Sequence, residues 1–239
     1  MGKLYVIATP IGNMEDLSYR AARILTEVDA LACEDTRQTS RIFQRYELAK
    51  PRTTFSYHDH NEEMAGKRIM GLLEAGSTVG ICSDGGYPGI SDPGYRIIAA
   101  AREADHEVEV IPGPSAVPTA LVASGLSTSS YTFKGFPPRK SGQRQRFLEP
   151  EKDLPHTIIC FESPFRIGKF LADAHVVLGN RLSAVCIELT KKFERVHRGY
   201  LEDLAEEFRG KKVKGEITVV FSGNHPKFMK PEEDKEEAQ

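Results

Sequence analysis

Three loops rich in glycine and proline are the segments of this chain best suited to bind a ligand. They occupy residues 9–13, 83–94 and 112–116, and each follows a short apolar run that predicts a buried strand. Glycine lets the backbone approach a ligand closely, and proline fixes a loop so that less entropy is lost on binding. Because the carboxyl ends of strands in an open α/β sheet line one crevice, we expect these loops to meet there. Neither a P-loop nor a Rossmann glycine fingerprint is present.

Basic residues interleaved with phenylalanines indicate an RNA-facing surface in the second half. Five basic residues lie within residues 134–146, and four more lie within residues 191–198. Lysine and arginine neutralise phosphates, and aromatic rings stack on bases. A solvated basic face is the alternative interpretation. The candidate RNA contacts are Arg37, Arg139, Lys140, Arg144, Lys192 and Arg195.

The charge of the chain is divided unevenly between its halves. The 239 residues include 32 Lys+Arg and 34 Asp+Glu, and the formal net charge of −2 excludes a uniformly basic nucleic-acid binder. Residues 1–120 have a net charge of −5, whereas residues 121–223 have a net charge of +5. Most of the candidate RNA contacts therefore lie in a positive half. With 40% hydrophobic residues, the chain has enough apolar material for a buried core.

The elements that must position these residues alternate between strands and helices. In the first half, strands are predicted at residues 4–8, 30–33, 53–56, 78–82 and 108–111, and Ser18 and Asn61 are predicted to cap two of the helices between them. This alternation predicts an α/β domain with a mostly parallel sheet over residues 1–117. In the second half, strands are predicted at residues 131–136, 157–162, 182–189, 195–200 and 217–221. A hairpin fits between residues 189 and 200, so residues 118–223 are expected to form a second α/β domain with a mixed sheet.

The remaining composition favours a cytoplasmic protein without a metal site. The four cysteines occur singly, without zinc-like spacing, as is typical of buried thiols in a reducing compartment. His58 and His60 flank Asp59, but two histidines alone make a weak metal site. No apolar stretch approaches the ~20 residues that a transmembrane helix needs. The acidic segment at residues 224–239 has no periodicity, and we expect it to be disordered.

A series of short motifs, in order along residues 3–223, resembles the ribosomal RNA small-subunit methyltransferase I family of the tetrapyrrole methylase superfamily. The motifs are ATPIGN at 8–13, EDLS at 15–18, EDTR at 34–37, YHDHNE at 57–62, the loop at 83–94, PGPSA at 112–116, FESP at 161–164, ELTK at 188–191 and GE at 215–216. The resemblance implies two α/β domains with a ligand cleft between them, and a homodimer. It also implies an enzyme that uses S-adenosylmethionine to methylate the 2′-hydroxyl of a cytidine in 16S ribosomal RNA of the small subunit.

The resemblance implies that the loops and the second domain bind S-adenosylmethionine. Asp84 can accept hydrogen bonds from it, while Gly85, Gly86 and Ser91 let the chain pass close to it. Pro10, Ser115 and Ala116 are expected to line the same cleft from neighbouring strand ends. The resemblance adds five partners from the second domain, namely Glu162, Ser163, Leu189, Thr190 and Glu216.

The acceptor hydroxyl needs a base or a positioning group, because a ribose hydroxyl is a poor acid. The candidates are His58, Glu62 and Lys191, and the sequence does not choose among them. A lysine acts as a base only if desolvation or nearby positive charge lowers its pKa.

Two other functions fit parts of the sequence. A tetrapyrrole C-methyltransferase of the same fold would act on a porphyrinogen or precorrin, and the basic segment at 138–146 argues against it. A non-catalytic RNA-binding module would keep the basic surface without transferring a methyl group.

Overall fold

The apolar runs of the first half pair into one five-stranded sheet. Its strands are β1 (Lys3–Ile7), β2 (Ala30–Cys33), β3 (Thr53–Ser56), β4 (Thr78–Cys82) and β5 (Glu107–Ile111), in the order β3-β2-β4-β1-β5. Every neighbouring pair is parallel, as the alternation of strands and helices predicts. The carboxyl ends of all five strands therefore lie along one edge, here called the carboxyl edge.

Helices cover both faces of this sheet. They are α1 (Tyr19–Glu27), α2 (Thr36–Arg45), α3 (Glu62–Glu74) and α4 (Tyr95–Glu103). Apolar residues of α1 and α2, such as Leu25 and Phe43, pack with one set of strand side chains. Those of α3 and α4, such as Ile69 and Ile97, pack with the alternate set. A parallel sheet is stable because both of its faces are buried in this way.

The two predicted helix caps have different outcomes. Ser18 Oγ accepts a hydrogen bond from the Ala21 amide at 3.0 Å, so this N-cap is confirmed. Asn61 makes no cap bond to α3. Its Oδ1 instead accepts from the His58 amide at 2.8 Å, and its Nδ2 donates to the Ser56 carbonyl at 3.0 Å. Asn61 is thus the N-cap residue of α3, as predicted, but its side chain does not cap the helix because it holds the turn that follows β3.

The second half forms a mixed sheet, also as predicted. Its strands are β6 (Tyr131–Phe133), β7 (Thr157–Glu162), β8 (Leu182–Ile187), β9 (Arg195–Tyr200) and β10 (Ile217–Phe221), in the order β6-β7-β10-β8-β9. Only β6 and β7 pair in parallel, and β8 and β9 form the predicted hairpin. The helices of this half are α5 (Ala116–Ser124), α6 (Ser141–Leu148), α7 (Ile167–Leu178) and α8 (Leu201–Glu207).

The chain divides into two units after Ala116, one residue before the expected boundary. The computed structural model describes residues 1–231. Within that range the segment expected to be disordered, from residue 224 on, has a defined conformation. The Asn224 amide donates to the Leu154 carbonyl, and the Lys230 amide donates to the Asn180 carbonyl, both at 2.8 Å. The structure differs from the expectation because these backbone groups find partners in the second unit. Residues 232–239 lie outside the described residues.

The described chain has no helix that is both long and apolar enough to cross a membrane. Its four cysteines, Cys33, Cys82, Cys160 and Cys186, are buried and unpaired as disulfides.

Candidate functional site

The three glycine- and proline-rich loops meet at the carboxyl edge of the first sheet. Thr9 and Gly86 exchange two backbone hydrogen bonds of 2.9 Å, which join the first loop to the second. The Thr9 hydroxyl also donates to the Ser83 carbonyl at 2.9 Å. The Gly113 amide donates to the Tyr87 hydroxyl at 3.1 Å, which joins the third loop to the second. The loops thus form one continuous surface.

Two glycines make this close approach possible. Gly86 has a φ of +84°, in the left-handed region that side chains disfavour. A Cβ on Gly113 would lie 3.0 Å from the Ala8 Cβ, so a side chain there would push two loops apart. The surface is therefore built largely from backbone that a ligand can approach.

The other residues predicted for this surface differ in exposure. Pro10 is buried, Ser115 and Ala116 are half-buried, and Ser91 is exposed with a φ of +64°. A serine in this conformation is held by the loop around it, since non-glycine residues rarely have positive φ.

Three carboxylates lie where β2 and β4 end. The Asp35 amide donates to Asp84 Oδ1 and the Asp84 amide donates to Glu34 Oε2, each at 3.1 Å. Partial burial and the neighbouring Glu34 charge raise the pKa of Asp84. Hydrogen bonds from Arg37 lower the pKa of Asp35 to about 2. The first unit therefore presents hydrogen-bond acceptors beside the glycine-rich backbone.

Sequence reasoning assigned no role to Glu34 and Asp35. The signal was available, because both follow β2 directly, just as Asp84 follows β4. Parallel neighbours bring such residues to the same edge.

His58 and Glu62 lie at the end of the carboxyl edge, after the edge strand β3. The His58 Nδ1 atom is buried and has no hydrogen-bond partner among the residues that the structure describes. Glu62 Oε1 accepts from the Tyr57 hydroxyl at 3.2 Å, and Glu62 Oε2 lies 3.5 Å from Arg96 Nε. Burial, with a contribution from Glu62, raises the pKa of Tyr57. Since β2 lies between β3 and β4, these residues are one strand removed from the Asp84 loop.

The His58 and His60 rings lie 6.0 Å apart between centroids. Across residues 1–231, no group of three or more histidine, cysteine or acidic side chains is placed to hold a metal ion.

The residues predicted in the second unit share one edge of its sheet. Because β10 is antiparallel to β7 and β8, Ile217 at its start pairs with Glu162 on one side and Ile187 on the other. This register gathers Glu162, Ser163, Leu189, Thr190 and Glu216 along the edge, here called the Glu216 edge. Leu189 is 6% exposed and contributes mainly to the core.

Glu162 is a buried acid with one unused oxygen. Its Oε1 accepts from the Ser163 amide at 2.6 Å and lies 2.5 Å from the Arg166 guanidinium. Its Oε2 is buried and accepts no hydrogen bond from any residue in the range 1–231. Burial raises the pKa of Glu162 in spite of these two contacts. A buried acceptor without a donor is a position where a bound group can supply the missing bond.

Lys191 is held between two carboxylates on the Glu216 edge. Its Nζ lies 2.8 Å from Glu188 Oε1 and 2.8 Å from Glu216 Oε2. Partial burial lowers the pKa of Lys191, but the hydrogen bonds to both carboxylates outweigh it, and the pKa is raised. A base would need the opposite shift, so this arrangement makes Lys191 a hydrogen-bond donor and a positive charge. Sequence reasoning missed Glu188 as the residue that holds it.

Five of the six candidate RNA contacts lie on the surface. The exposed residues are Arg37, Arg139, Lys140, Lys192 and Arg195. The prediction that Arg144 contacts RNA needs correction. Arg144 is only 4% exposed, and its Nη2 lies 2.6 Å from Asp173 Oδ2. Its Nη1 also donates to the Arg139 carbonyl at 2.5 Å. Arg144 therefore anchors the basic loop to α7 and is not an exposed phosphate contact.

Comparison with known proteins identifies the class of protein that this fold and site define. The model of the family "Tetrapyrrole (Corrin/Porphyrin) Methylases" matches residues 3–205, and the chain belongs to this family. A solved uroporphyrin-III C-methyltransferase from Thermus thermophilus, complexed with S-adenyl homocysteine, has the same fold. Its TM-score is 0.63 at 20% identity, over 92% of this chain and 97% of that one.

Within this family the chain is similar to enzymes named Ribosomal RNA small subunit methyltransferase I. It is 45% identical to the protein of that name from Halalkalibacterium halodurans, over 97% of this chain and 79% of the relative. It is 40% identical to the one from Thermotoga maritima, over 93% of this chain and 99% of the relative. The resemblance found in the sequence motifs is thus confirmed over nearly the whole chain.

Proposed function

We propose that this protein transfers a methyl group from S-adenosylmethionine to ribosomal RNA of the small ribosomal subunit. The observation that carries the proposal is the identity of 40–45% to Ribosomal RNA small subunit methyltransferase I over more than nine-tenths of the chain. The acceptor in the proposal is the 2′-hydroxyl of a cytidine in 16S ribosomal RNA. We infer that the enzyme acts in the cytoplasm as a homodimer.

The residues of the first unit fit the cofactor. A Cβ on Gly85 would lie 3.4 Å from the Pro10 carbonyl oxygen, which shows how closely the two loops pass. Asp84 places a carboxylate beside this backbone, where it can accept hydrogen bonds from hydroxyl or amino groups. When bound, S-adenosylmethionine supplies an electrophilic methyl group on a sulfonium. The chain's own task is to hold that group in line with the acceptor oxygen, a positioning effect worth roughly 7–11 kcal/mol.

The predicted cofactor contacts of the second unit remain part of the proposal. The unpaired Oε2 of Glu162 supports it, because a ligand with a donor group would satisfy that atom. Ser163, Leu189, Thr190 and Glu216 lie along the same edge and would share in the contact.

Among the three candidates for the base, the contacts favour His58. Among residues 1–231 its Nδ1 has no hydrogen-bond partner, whereas Glu62 is engaged by Tyr57 and Arg96. Lys191, held protonated, is better suited to bind a phosphate or an oxygen that gains negative charge. His58→Ala should lower the rate of methyl transfer by about 100-fold or more if His58 is the base, while cofactor affinity stays the same.

Transfer of radiolabelled methyl groups tests the proposal against its alternatives. The purified protein is incubated with labelled cofactor and, separately, with small ribosomal subunits, protein-free 16S ribosomal RNA and a porphyrinogen. Incorporation into the subunit or the RNA, lost on nuclease treatment, is the expected result. Label in the porphyrinogen alone would favour a tetrapyrrole methylase, and label in no substrate would favour a binding module.

A further inference from the structure

Phe193 is an exposed aromatic residue at the tip of the β8–β9 hairpin. Its side chain is 67% exposed, although a phenylalanine gains free energy from burial. The hairpin loop that presents it runs from residue 188 to residue 194, and the same loop contains Thr190 and Lys191 of the Glu216 edge. An exposed ring so close to a candidate site requires an explanation.

Several hydrogen bonds hold the loop that presents this ring. The Lys191 amide donates to the Glu188 carbonyl and the Glu194 amide donates to the Lys191 carbonyl, both at 3.0 Å. Glu194 Oε2 accepts from the Thr190 amide at 2.5 Å. At the base of the loop, the Glu188 amide donates to the Glu216 carbonyl at 3.0 Å. Because the loop is already ordered, a ligand that contacts the ring loses little entropy in fixing it.

Two exposed cations lie next to Phe193 along the chain. The Lys192 ammonium lies 5.7 Å from the Phe193 ring centroid. Lys192 and Arg195 are both exposed, and within residues 1–231 neither has a carboxylate partner. The acids of the loop are already engaged, since Glu188 and Glu216 pair with Lys191 and Glu194 accepts from Thr190. The ring therefore lies beside Lys192, and Arg195 follows two residues farther along the chain, so two exposed cations are available for phosphates.

We propose that Phe193 stacks on an unpaired base of the RNA substrate, while Lys192 and Arg195 contact the adjoining phosphates. Proteins that bind single-stranded nucleic acid combine aromatic faces with nearby cations, and stacking accepts any base. The inference rests on the proposed function and adds to it that the RNA is recognised as an unstacked, single-stranded segment beside the Glu216 edge.

Fluorescence tests the stacking directly, because the chain has no tryptophan. Phe193→Trp introduces a single indole at the tip of the hairpin. Its emission should be quenched by an unstructured single-stranded oligoribonucleotide, and less so at higher salt. The control is Val176→Trp, which places the only indole on an exposed position of α7 and should not be quenched. The proposal would be overturned if the fluorescence of Phe193→Trp does not change when RNA is added, or if it changes only with protein concentration.

Kinetics separate this inference from the proposed function. Phe193→Ala should lower kcat/KM for small ribosomal subunits by between about 5-fold and 100-fold. Phe193→Leu keeps apolar volume without a π-face and should behave like Phe193→Ala, whereas Phe193→Trp should retain activity. Cofactor affinity and thermal unfolding should not change in any of them. An inactive wild-type protein would overturn the proposed function. If the wild type is active and both Phe193→Ala and Phe193→Leu have the same kcat/KM as the wild type, only the stacking proposal is overturned.

Discussion

The ammonium of Lys191 lies 2.8 Å from the Glu188 carboxylate, and this contact determines what the lysine can do. Glu216 holds the same ammonium from the other side. Both carboxylates stabilise the charged form, so Lys191 is a poor proton acceptor at neutral pH. The two carboxylates therefore keep Lys191, a candidate base in the sequence, positively charged.

Lys191→Arg should therefore keep a large part of the methyl-transfer activity, whereas Lys191→Met should lose most of it. The raised pKa means that the charge, and its contribution to stability, is complete below the ordinary lysine value near 10.4 and is lost only at higher pH. We expect no change in activity due to this residue between about pH 6 and pH 9. A Lys191→Arg variant as inactive as Lys191→Met, with folding intact, would restore the lysine as a base.

Gly215 has no room for a side chain, because a Cβ there would lie 2.4 Å from the Glu188 carboxyl group. Its φ of +97° adds backbone strain for any other residue. Gly215→Ala should lower both the thermal stability and the activity, since it displaces the carboxylate that holds Lys191. The matched control is Gly142→Ala in α6, where no other residue of the described chain comes within 4 Å of the added Cβ. That change should stabilise the protein by about 0.5–1 kcal/mol.

Arg144→Ala should destabilise the protein by about 3–5 kcal/mol, because it leaves Asp173 as a buried charge without its partner. Urea unfolding followed by circular dichroism measures the change. Arg146→Ala, two residues away and exposed, is the control and should stay within about 0.5 kcal/mol of the wild type. Equal stabilities of the two variants would contradict the structural role given to Arg144.

The exposed part of the basic loop should act through phosphates. Reversal of Arg139 and Lys140 to glutamate should weaken binding to small ribosomal subunits and flatten its dependence on salt by about one unit of slope for each lost phosphate contact. Cofactor binding, measured by calorimetry, should not change. A subunit affinity and salt slope equal to those of the wild type would remove this loop from the RNA surface.

The ionised Asp84 carboxylate should lower the stability of the folded protein while it strengthens cofactor binding. Its pKa is raised in the folded protein, so the folded state disfavours the charged form, and the ionised carboxylate costs stability above its folded pKa. Asp84→Asn keeps the oxygen that accepts from the Asp35 amide. It should bind S-adenosylmethionine more weakly by calorimetry and melt at a higher temperature than wild type at pH 7. The difference in melting temperature should shrink as the pH falls into the acidic range and Asp84 itself becomes protonated, because the pKa of Asp84 is raised.

The sequence predicted the elements well where short-range signals decide them. Buried strands such as residues 30–33 and 78–82 are apolar runs between turns, and Ser18 before an apolar face is a local cap. The predictions were less accurate where a side chain can form hydrogen bonds either with the following helix or with the preceding turn. Asn61 turned toward the preceding loop, because the His58 amide and the Ser56 carbonyl lie within its reach.

The features of the candidate site also divide into those that the local sequence predicts and those that it does not. That loops follow β1, β4 and β5 is a property of the sequence, and a parallel sheet brings their ends together without further information. That Arg144 is buried could not be read locally, because its partner Asp173 lies 29 residues farther along the chain. The same is true of Lys191 and Glu216, which meet across 25 residues.

The sequence by itself therefore determined the two α/β units, the parallel and mixed sheets, the glycine-rich loops and the family. These follow from periodicity, turn chemistry and motifs that operate over a few residues. Only the tertiary structure decided which charges are exposed and which are paired: Arg139 faces solvent while Arg144 does not, and Lys191 is held as a cation while Lys192 beside it has no carboxylate partner among the described residues. The physical reason is that burial and ion pairing depend on which distant side chain arrives at the same place, and the packing of helices and the register of strands control that.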